Sequence, residues 1–297
     1  MTDERCGFVT LLGAPNAGKS TLVNYMVGAK VSIVSPKVQT TRSRVRGIVV
    51  KDSCEIVMID TPGIFKPKRR LDRAMVAAAW QDAEYADVCL LLVDARRGLD
   101  DDTRSIIESM KKNKLKAALV LNKTDLVKHA KLAELSLKLN ELYSFSETFM
   151  VSAANGDGID DFEKWLISEM PAGPFMFPAD QVSDLPDKLL AAEITREKLY
   201  MNLNQELPYV STVQTDSFAE ENGALKINQT IYVEKNNQKQ IVIGKNGSMI
   251  KKIGMQSRTE LEKLFESRVH LFLFVKVREK WEDNPEHYRS WGLDFNA

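Results

Sequence analysis

Cysteine and histidine are scarce in this 297-residue chain, which carries three of each. Cys6, Cys54 and Cys89 have no paired spacing, which excludes a disulfide framework and points to buried free thiols in a reducing cytoplasm. His129, His270 and His287 are too dispersed for metal-ligand spacing. Long hydrophobic runs are missing too: no stretch approaches the ~18 apolar residues of a membrane-spanning helix. The start, MTDERCGFVTLLG, is charged with only a short apolar run, unlike a signal peptide. A soluble, cytoplasmic protein is therefore expected, and the N-x-[ST] triplets at Asn122, Asn228 and Asn246 should never meet a glycosylating enzyme. Net charge is absent as well. The 41 basic and 41 acidic side chains cancel, which excludes a wholly basic nucleic-acid binder but leaves room for a local patch. Repeats, low-complexity tracts and coiled-coil heptads are lacking, and a monomer is expected.

What is present suffices for two domains, with 44% hydrophobic and 28% charged residues over nearly 300 positions. From residue 7 to about 170, short apolar runs alternate with longer helical patterns. The runs GFVTLLG, RVRGIVV, EIVMID, ADVCLLLVD, KAALVLN and TFMVSA are mostly continuously apolar, as strands buried on both faces of a mainly parallel sheet should be. RVRGIVV and EIVMID are separated only by Lys51 to Cys54, which suits a hairpin and one antiparallel edge strand. The fold expected for residues 1–170 is therefore a doubly wound α/β domain with a six-stranded sheet. Residues 171–186 lie in the proline-rich segment MPAGPFMFPADQVSDLP and read as an ordered linker, leaving 187–297 for a second, α+β domain.

Gly13-Ala14-Pro15-Asn16-Ala17-Gly18-Lys19-Ser20, with Thr21 behind it, fits the P-loop pattern between the apolar run FVTLL and the helical run TLVNYMV. Glycines let backbone N–H groups turn inward around phosphates, and the helix N-terminus adds a favourable dipole. Lys19 neutralises the outer phosphates, and the Ser20 hydroxyl ligates magnesium. Asp60-Thr61-Pro62-Gly63 ends the run EIVMI, placing Asp60 at the carboxyl end of a strand, where sheet ligands bind. Asp60 would hold magnesium through water, and the Gly63 amide would sense the γ-phosphate. Alone, this quartet is also compatible with a simple turn.

Asn122-Lys123-Thr124-Asp125 ends the run AALVL, and Ser152-Ala153 ends the next. A carboxylate at Asp125 accepts from both N1–H and the 2-amino group of guanine. Adenine offers neither donor and would leave a charged acceptor unpaired. Asn122 would brace the loops, the Lys123 stem would cover the ring, and the Ala153 amide would donate to O6. On its own, the Asn122 quartet is equally a helix cap. The polar stretch SIVSPKVQTTRSR cannot bury a face and fits a mobile switch, from which a threonine should ligate magnesium when the γ-phosphate is present. Thr41 is chosen over Thr40, and an ordinary basic loop is the alternative. Lys19, Thr41 and Gly63 are thus the candidate catalytic groups. Ile64 stands where many GTPases place a water-orienting glutamine, so intrinsic hydrolysis should be slow.

In the C-terminal half, helix DKLLAAEITREKLYMNLNQ precedes the strand-like runs YVSTVQTDSF and ALKINQTIYVEK. QKQIVI reads as a strand ending at Gly244-Lys245-Asn246-Gly247, followed by the helix SMIKKI and the closing strand VHLFLFVKV. Two glycines around two polar residues allow a nucleic-acid backbone close to a helix N-terminus, as in KH domains, although most such quartets are plain turns. Residues 235–281 contain 11 Lys or Arg against 4 Glu, a net of +7 around this loop. The order helix, strand, strand, helix, helix, strand is that of the type II KH fold. Ile243, Gly244, Lys245, Asn246, Gly247, Ile250, Lys251 and Lys252 are the candidate RNA contacts, with Ile241 beside them. Val269, Leu271, Leu273, Val275 and Val277 should be core, whereas His270, Phe272 and Phe274 either stack on RNA or, as preferred, pack on the first helix or the tail.

The succession GxxNxGKS, TTR, DTPG, NKxD and SA resembles the translation-factor-related class of GTPases. With the linker and the Gly244–Gly247 quartet, the whole chain resembles the Era-like family of bacterial ribosome-assembly GTPases. That resemblance implies GTP hydrolysis with magnesium and a 3′ region of small-subunit ribosomal RNA as ligand. It also implies the assembling 30S subunit as partner, a peripheral fraction at the inner membrane, and a potassium ion beside the phosphates at Asn16. Two rivals differ in signature. A membrane-transport regulator would show a spanning or amphipathic segment, and a metabolic P-loop kinase would have no use for the Asn122 quartet.

Overall fold

The structure, a computed structural model, describes residues 4–297, so Met1 to Asp3 of the charged start lie outside it. The chain divides by its contacts into two compact units. The first comprises Met1–Ser32, Thr41–Asp184 and Tyr288–Ala297, the second Ile33–Thr40 and Leu185–His287.

In the first unit the strands are β1 (Arg5–Leu12), β2 (Val45–Lys51), β3 (Cys54–Asp60), β4 (Val88–Asp94), β5 (Ala118–Asn122) and β6 (Thr148–Val151). They form one sheet in the order β2-β3-β1-β4-β5-β6. All neighbours run parallel except β2 and β3, whose register turns back across Asp52 and Ser53 as the short connection implied. Every residue of β3, β4 and β5 is buried, because helices cover both faces and leave no solvent side to favour polar alternation. The helices are α1 (Lys19–Val27), α2 (Arg70–Tyr85), α3 (Asp101–Asn113), α4 (His129–Leu142) and α5 (Ile159–Glu169). Local signals start them: in α3 the Asp100 carboxylate accepts from the Thr103 amide at 2.8 Å, with Asp101 and Asp102 in the first turn, and all three favour the positive helix end. Cys6, Cys54 and Cys89 are free and buried in β1, β3 and β4. Burial pushes the Cys89 thiol up to about 12, so it is inert at neutral pH.

The proline-rich segment does not hang between the units. Ile48 N–H donates to Val182 O at 2.9 Å, and the Glu55 carboxylate accepts the Met176 and Phe177 amides at 2.7 and 3.1 Å. Through Asp184 it belongs to the first unit. The tail also departs from the expected division, since Arg44 N–H donates to Trp291 O at 3.2 Å and the Arg70 guanidinium lies over the Phe295 ring.

The second unit runs α6 (Asp187–Asn202), β7 (Ser211–Glu221), β8 (Ala224–Val233), α7 (Asn236–Ile243), α8 (Ser248–Leu264) and β9 (Arg268–Val277), with α9 (Pro285–Ser290) at its border. β7 and β8 form a hairpin through Asn222 and Gly223, whose φ angles of 53° and 72° match a type I′ turn. β9 adds parallel to β8. QKQIVI, read as a strand, is helical. Gln238 Oε1 accepts the Glu234 and Lys235 amides at 2.9 Å each and caps a helix start, and Val242 is buried while Ile241 is exposed. A short β-branched run imitates a strand, but here the packing of one residue per turn decides. The preferred packing of Phe272 and Phe274 also fails: they are 46% and 53% exposed, because they lie on the sheet face opposite the one that buries Val269 and Val275. Among the described residues no helix is long and apolar enough to cross a membrane.

Candidate functional site

Because β1, β3, β4, β5 and β6 are parallel, their carboxyl ends lie at one end of the sheet, and Gly13, Asp60, Asn122 and Ser152 are each the last residue of a strand or the first beyond it, while Lys19 and Ser20 open α1 and Thr41 lies between α1 and β2. The loop after β1 turns tightly: Gly18 has φ 100°, and a Cβ there would collide with the Asn122 amide, so only glycine fits. Lys19, buried at the head of α1, donates to the carbonyls of Gly13 (3.0 Å) and Ala14 (3.2 Å). Burial lowers its amine to about 8, with Asp60 opposing the shift. This is a poorly solvated cation facing the loop interior, suited to phosphate oxygens.

Beside it the structure brings three hydroxyls onto one carboxylate. Asp60 Oδ2 accepts from Ser20 Oγ at 2.7 Å, from Ser32 Oγ at 2.5 Å and from Thr41 Oγ1 at 3.2 Å, and Ser20 Oγ lies 3.0 Å from Thr41 Oγ1. Asp60 is fully buried, and its Oδ1 has no hydrogen-bond partner. Burial raises its carboxyl above the ordinary range, against the hydroxyl bonds and Lys19. A buried carboxylate with one orphan oxygen, ringed by hydroxyls, is a hard-cation donor set of oxygen atoms alone, as magnesium prefers. Of the two threonines in the switch stretch, Thr41 joins this cluster, while Thr40 Oγ1 turns to Lys37 O at 2.8 Å. Ser32 was not singled out in the sequence, because a serine inside a polar stretch carries no signal until the chain folds back on Asp60.

Gly63 approaches the phosphate loop so closely that a Cβ would sit 2.9 Å from the Pro15 backbone. Ile64 lies in the apolar cluster with Leu12, Ala79 and Val93, and its amide donates to Gly13 O at 3.0 Å. The residue after Gly63 thus points into the core.

The base-side residues form a second cluster. Asn122 Nδ2 donates to Ala17 O at 2.9 Å, and its Oδ1 accepts the amides of Lys123 (2.8 Å) and Ala153 (3.0 Å). The Ala153 amide, expected to serve a base oxygen, is thus engaged by Asn122, whose buried carbonyl needs a donor. Lys123 Nζ donates to Asn16 O at 2.6 Å and to Asp94 Oδ2 at 2.7 Å. Asp94, last in β4, was missed because a lone aspartate at a strand end has no motif around it. Burial opposes its ionisation, but bonds from Arg96 and Lys123 outweigh that and hold its carboxyl at about 2. Asp125 remains exposed, with Oδ1 fixed by Ser152 Oγ at 2.6 Å.

In the second unit, the loop between α7 and α8 contains Gly244, Lys245, Asn246 and Gly247, three of them with φ between 52° and 77°. Lys245, Asn246, Lys251 and Lys252 are exposed. Ile243 and Ile250 are half-buried against the core cluster of Leu199, Val242 and Ile253. The loop opens onto the N-terminus of the 17-residue α8, so partial positive charge and two lysine side chains border an apolar flank.

Comparison with known proteins places this geometry. Residues 8–123 match the family model of a 50S ribosome-binding GTPase, and residues 206–282 match that of the KH domain. The GTPase Era of Afipia carboxidovorans is 56% identical over 292 residues, covering 98% of this chain and 95% of the relative. A variant of Aquifex aeolicus Era bound to GDP and AlF4− superposes with a TM-score of 0.91 at 37% identity, covering 97% of this chain and 99% of that one. Era in complex with MgGDPNP and nucleotides 1506–1542 of 16S ribosomal RNA superposes at 0.92, with the same identity and coverage. Near-complete coverage at these identities, together with both domain models in order, means that the chain belongs to the Era family of GTPases.

Proposed function

We infer that this protein is a magnesium-dependent GTPase whose second unit binds single-stranded RNA at the 3′ end of small-subunit ribosomal RNA, and that it acts in assembly of the 30S subunit. One observation carries the reading. At one end of the sheet, the cluster of Ser20, Thr41 and Asp60 lies with the cluster of Asn122, Asp125 and Ser152, a phosphate-and-cation end and a guanine end on one scaffold. The RNA ligand is that of a relative of near-complete coverage, whose structure holds nucleotides 1506–1542 of 16S ribosomal RNA, and the basic Gly244–Gly247 loop supports it; assembly of the 30S subunit extends that reading to the particle that contains this RNA.

Magnesium bound between Ser20, Thr41 and Asp60 would neutralise charge on the phosphates. Lys19 moves from the loop carbonyls to the outer phosphate oxygens, and the Gly63 amide donates to the γ-phosphate. Gly13, Ala14, Asn16, Ala17, Gly18 and Thr21 supply the surrounding backbone, and Asp125 reads N1–H and the 2-amino group. Water attacks the γ-phosphorus and the bond to the β–γ bridging oxygen breaks, giving GDP and phosphate. Ile64 offers that water no hydrogen bond, so intrinsic turnover is slow, and a potassium ion at Asn16 would add positive charge beside the phosphates. Cytoplasmic residence, with a fraction at the membrane surface, belongs to the same proposal.

The test is paired. Wild-type protein should hydrolyse GTP only with magnesium, faster in potassium than in sodium, and bind a 3′-terminal 16S ribosomal RNA oligonucleotide. Gly247→Asp should lose the RNA with GTP affinity intact, since a Cβ at Gly247 meets no protein atom within 4 Å and the strain of an L residue at φ 77° is confined to a loop of the second unit. Retained RNA affinity would remove the RNA assignment, and magnesium-independent turnover would remove the hydrolysis site.

A further inference from the structure

The switch stretch between α1 and β2 is not a free loop. Its residues Ile33–Thr40 belong by their contacts to the second unit, whereas Ser32 and Thr41 on either side belong to the first. The element that holds it is α6, the opening helix of the second unit. Ile33 is buried in a cluster with Leu190, Ala191 and Ile194 of that helix. The Val34 amide donates to Glu197 Oε1 at 2.8 Å, Tyr200 Oη donates to Gln39 O at 3.3 Å, and Lys37 Nζ bonds Leu203 O just past the helix end. Arg196 is the centre of this grip. Its side chain is 1% exposed, its Nε is paired with Glu193 Oε1 at 2.8 Å, and its Nη2 donates to Thr40 O at 2.5 Å.

These contacts explain why α6 is buried on every side, an uncommon state for a helix in a small domain. They also have a direction. A buried charged donor on a backbone carbonyl fixes position far better than an exposed side-chain pair, and Thr40 is one peptide bond from Thr41, whose Oγ1 reaches Asp60 and Ser20. Arg196 Nη1 is buried without a hydrogen-bond partner, so the guanidinium has a second donor to offer the stretch in another arrangement. Three residues beyond Thr41 the chain is fixed again, by the bond from Arg44 N–H to Trp291 O. The span that must deliver Thr41 is therefore short and tethered at both ends.

We propose that Arg196 is a positioning residue for GTP hydrolysis: from α6 of the RNA-binding unit it holds the Thr40 carbonyl and thereby sets Thr41 at the cation pocket. The proposal rests on Thr41 as a magnesium-site ligand. By linkage, a bound nucleotide that favours Thr41 at the cation pocket and the hold of Arg196 on the Thr40 carbonyl stabilise each other by the same free energy.

The experiment uses the full-length protein and three variants, with kcat, GDP affinity and the ratio of GTP-analogue to GDP affinity as readouts. Arg196→Met should lower kcat about tenfold. It should also reduce the analogue preference with GDP affinity unchanged, a split that general loosening of the fold would not give. Arg196→Lys, which keeps a charged donor, should recover part of both losses. Thr41→Ala separates the two ideas: if it leaves hydrolysis unchanged, the ligand assignment fails. If it lowers kcat while folded Arg196→Met keeps wild-type kcat and analogue preference, the clamp alone is overturned. Should Arg196→Met not fold, the double variant Glu197→Ala with Tyr200→Phe loses two other holds on the stretch, the acceptor for the Val34 amide and the donor to Gln39 O. It should lower kcat two- to fivefold, and wild-type values there overturn the clamp equally.

Discussion

Truncating Asn122 to alanine tests whether the base loops and the phosphate loop are one object. The side chain is 1% exposed and makes three hydrogen bonds, to Ala17 O, Lys123 N–H and Ala153 N–H. Ala17 O lies in the phosphate loop and Ala153 just after β6, so the amide ties segments more than 100 and about 30 residues away in sequence. Removing it leaves at least the Ala17 carbonyl and the Ala153 amide buried and unpartnered, at about 1–3 kcal/mol each before water enters the gap. Partial rehydration brings the expected loss to about 2–4 kcal/mol. For a unit of this size that corresponds to a fall in Tm of roughly 4–16 °C in nucleotide-free protein. Guanine-nucleotide affinity should fall by at least about tenfold, or 1.4 kcal/mol, because both loops lose their shared anchor. Thermal unfolding by circular dichroism and displacement of a fluorescent GDP analogue read the two effects. A nucleotide-free Tm within a degree of wild type would refute the latch.

Other expectations follow from the same geometry. Asp125→Asn should shift preference from guanine to xanthine nucleotides, because the amide donates to the 2-oxo group; competition by GTP and XTP reads it, and unchanged GTP preference would count against the assignment of Asp125. Ile64→Gln should not raise kcat, because that side chain faces the apolar cluster with Leu12 and Val93, and should cost stability as a buried amide; a tenfold gain in single-turnover rate would contradict this placement. The pH dependence of Asp94 has a definite sign. Its folded-state carboxyl, at about 2, lies below the ordinary value of 3.8. Its stabilisation, about 2 kcal/mol, is present above pH 4 and lost as pH falls toward 2. Urea unfolding at pH 5 and pH 3 should therefore show a smaller pH effect in Asp94→Asn than in wild type.

Most of the first unit was legible as runs and punctuation. Continuous apolar stretches such as ADVCLLLVD can be stable only between two helical layers, and the single short connection at Lys51 to Cys54 implied the one antiparallel pair that β2 and β3 make. The nucleotide groups were legible because each combines scarce residue types in a fixed order after a strand. QKQIVI was not, since six residues rich in isoleucine and valine satisfy strand and helix alike, and only the cap at Gln238 and the burial of Val242 choose between them. The exposed Phe272 and Phe274 escaped for the converse reason: alternation assigns them to a face but is silent on whether anything covers it.

The expectation of a phosphate loop, a cation ligand and a guanine-reading carboxylate on one parallel sheet came from sequence alone, because local backbone demands and strand ends write those candidate groups in consecutive residues. Tertiary structure alone decided which partners they have. Ser32 and Thr41 meet Asp60, Asp94 meets Lys123, and α6 takes hold of the switch stretch through Arg196. Those pairings join residues up to 156 apart in the chain. A hydrogen bond across such a separation leaves no periodic trace, since its geometry is fixed by how helices and strands pack and not by the spacing of residues along the backbone.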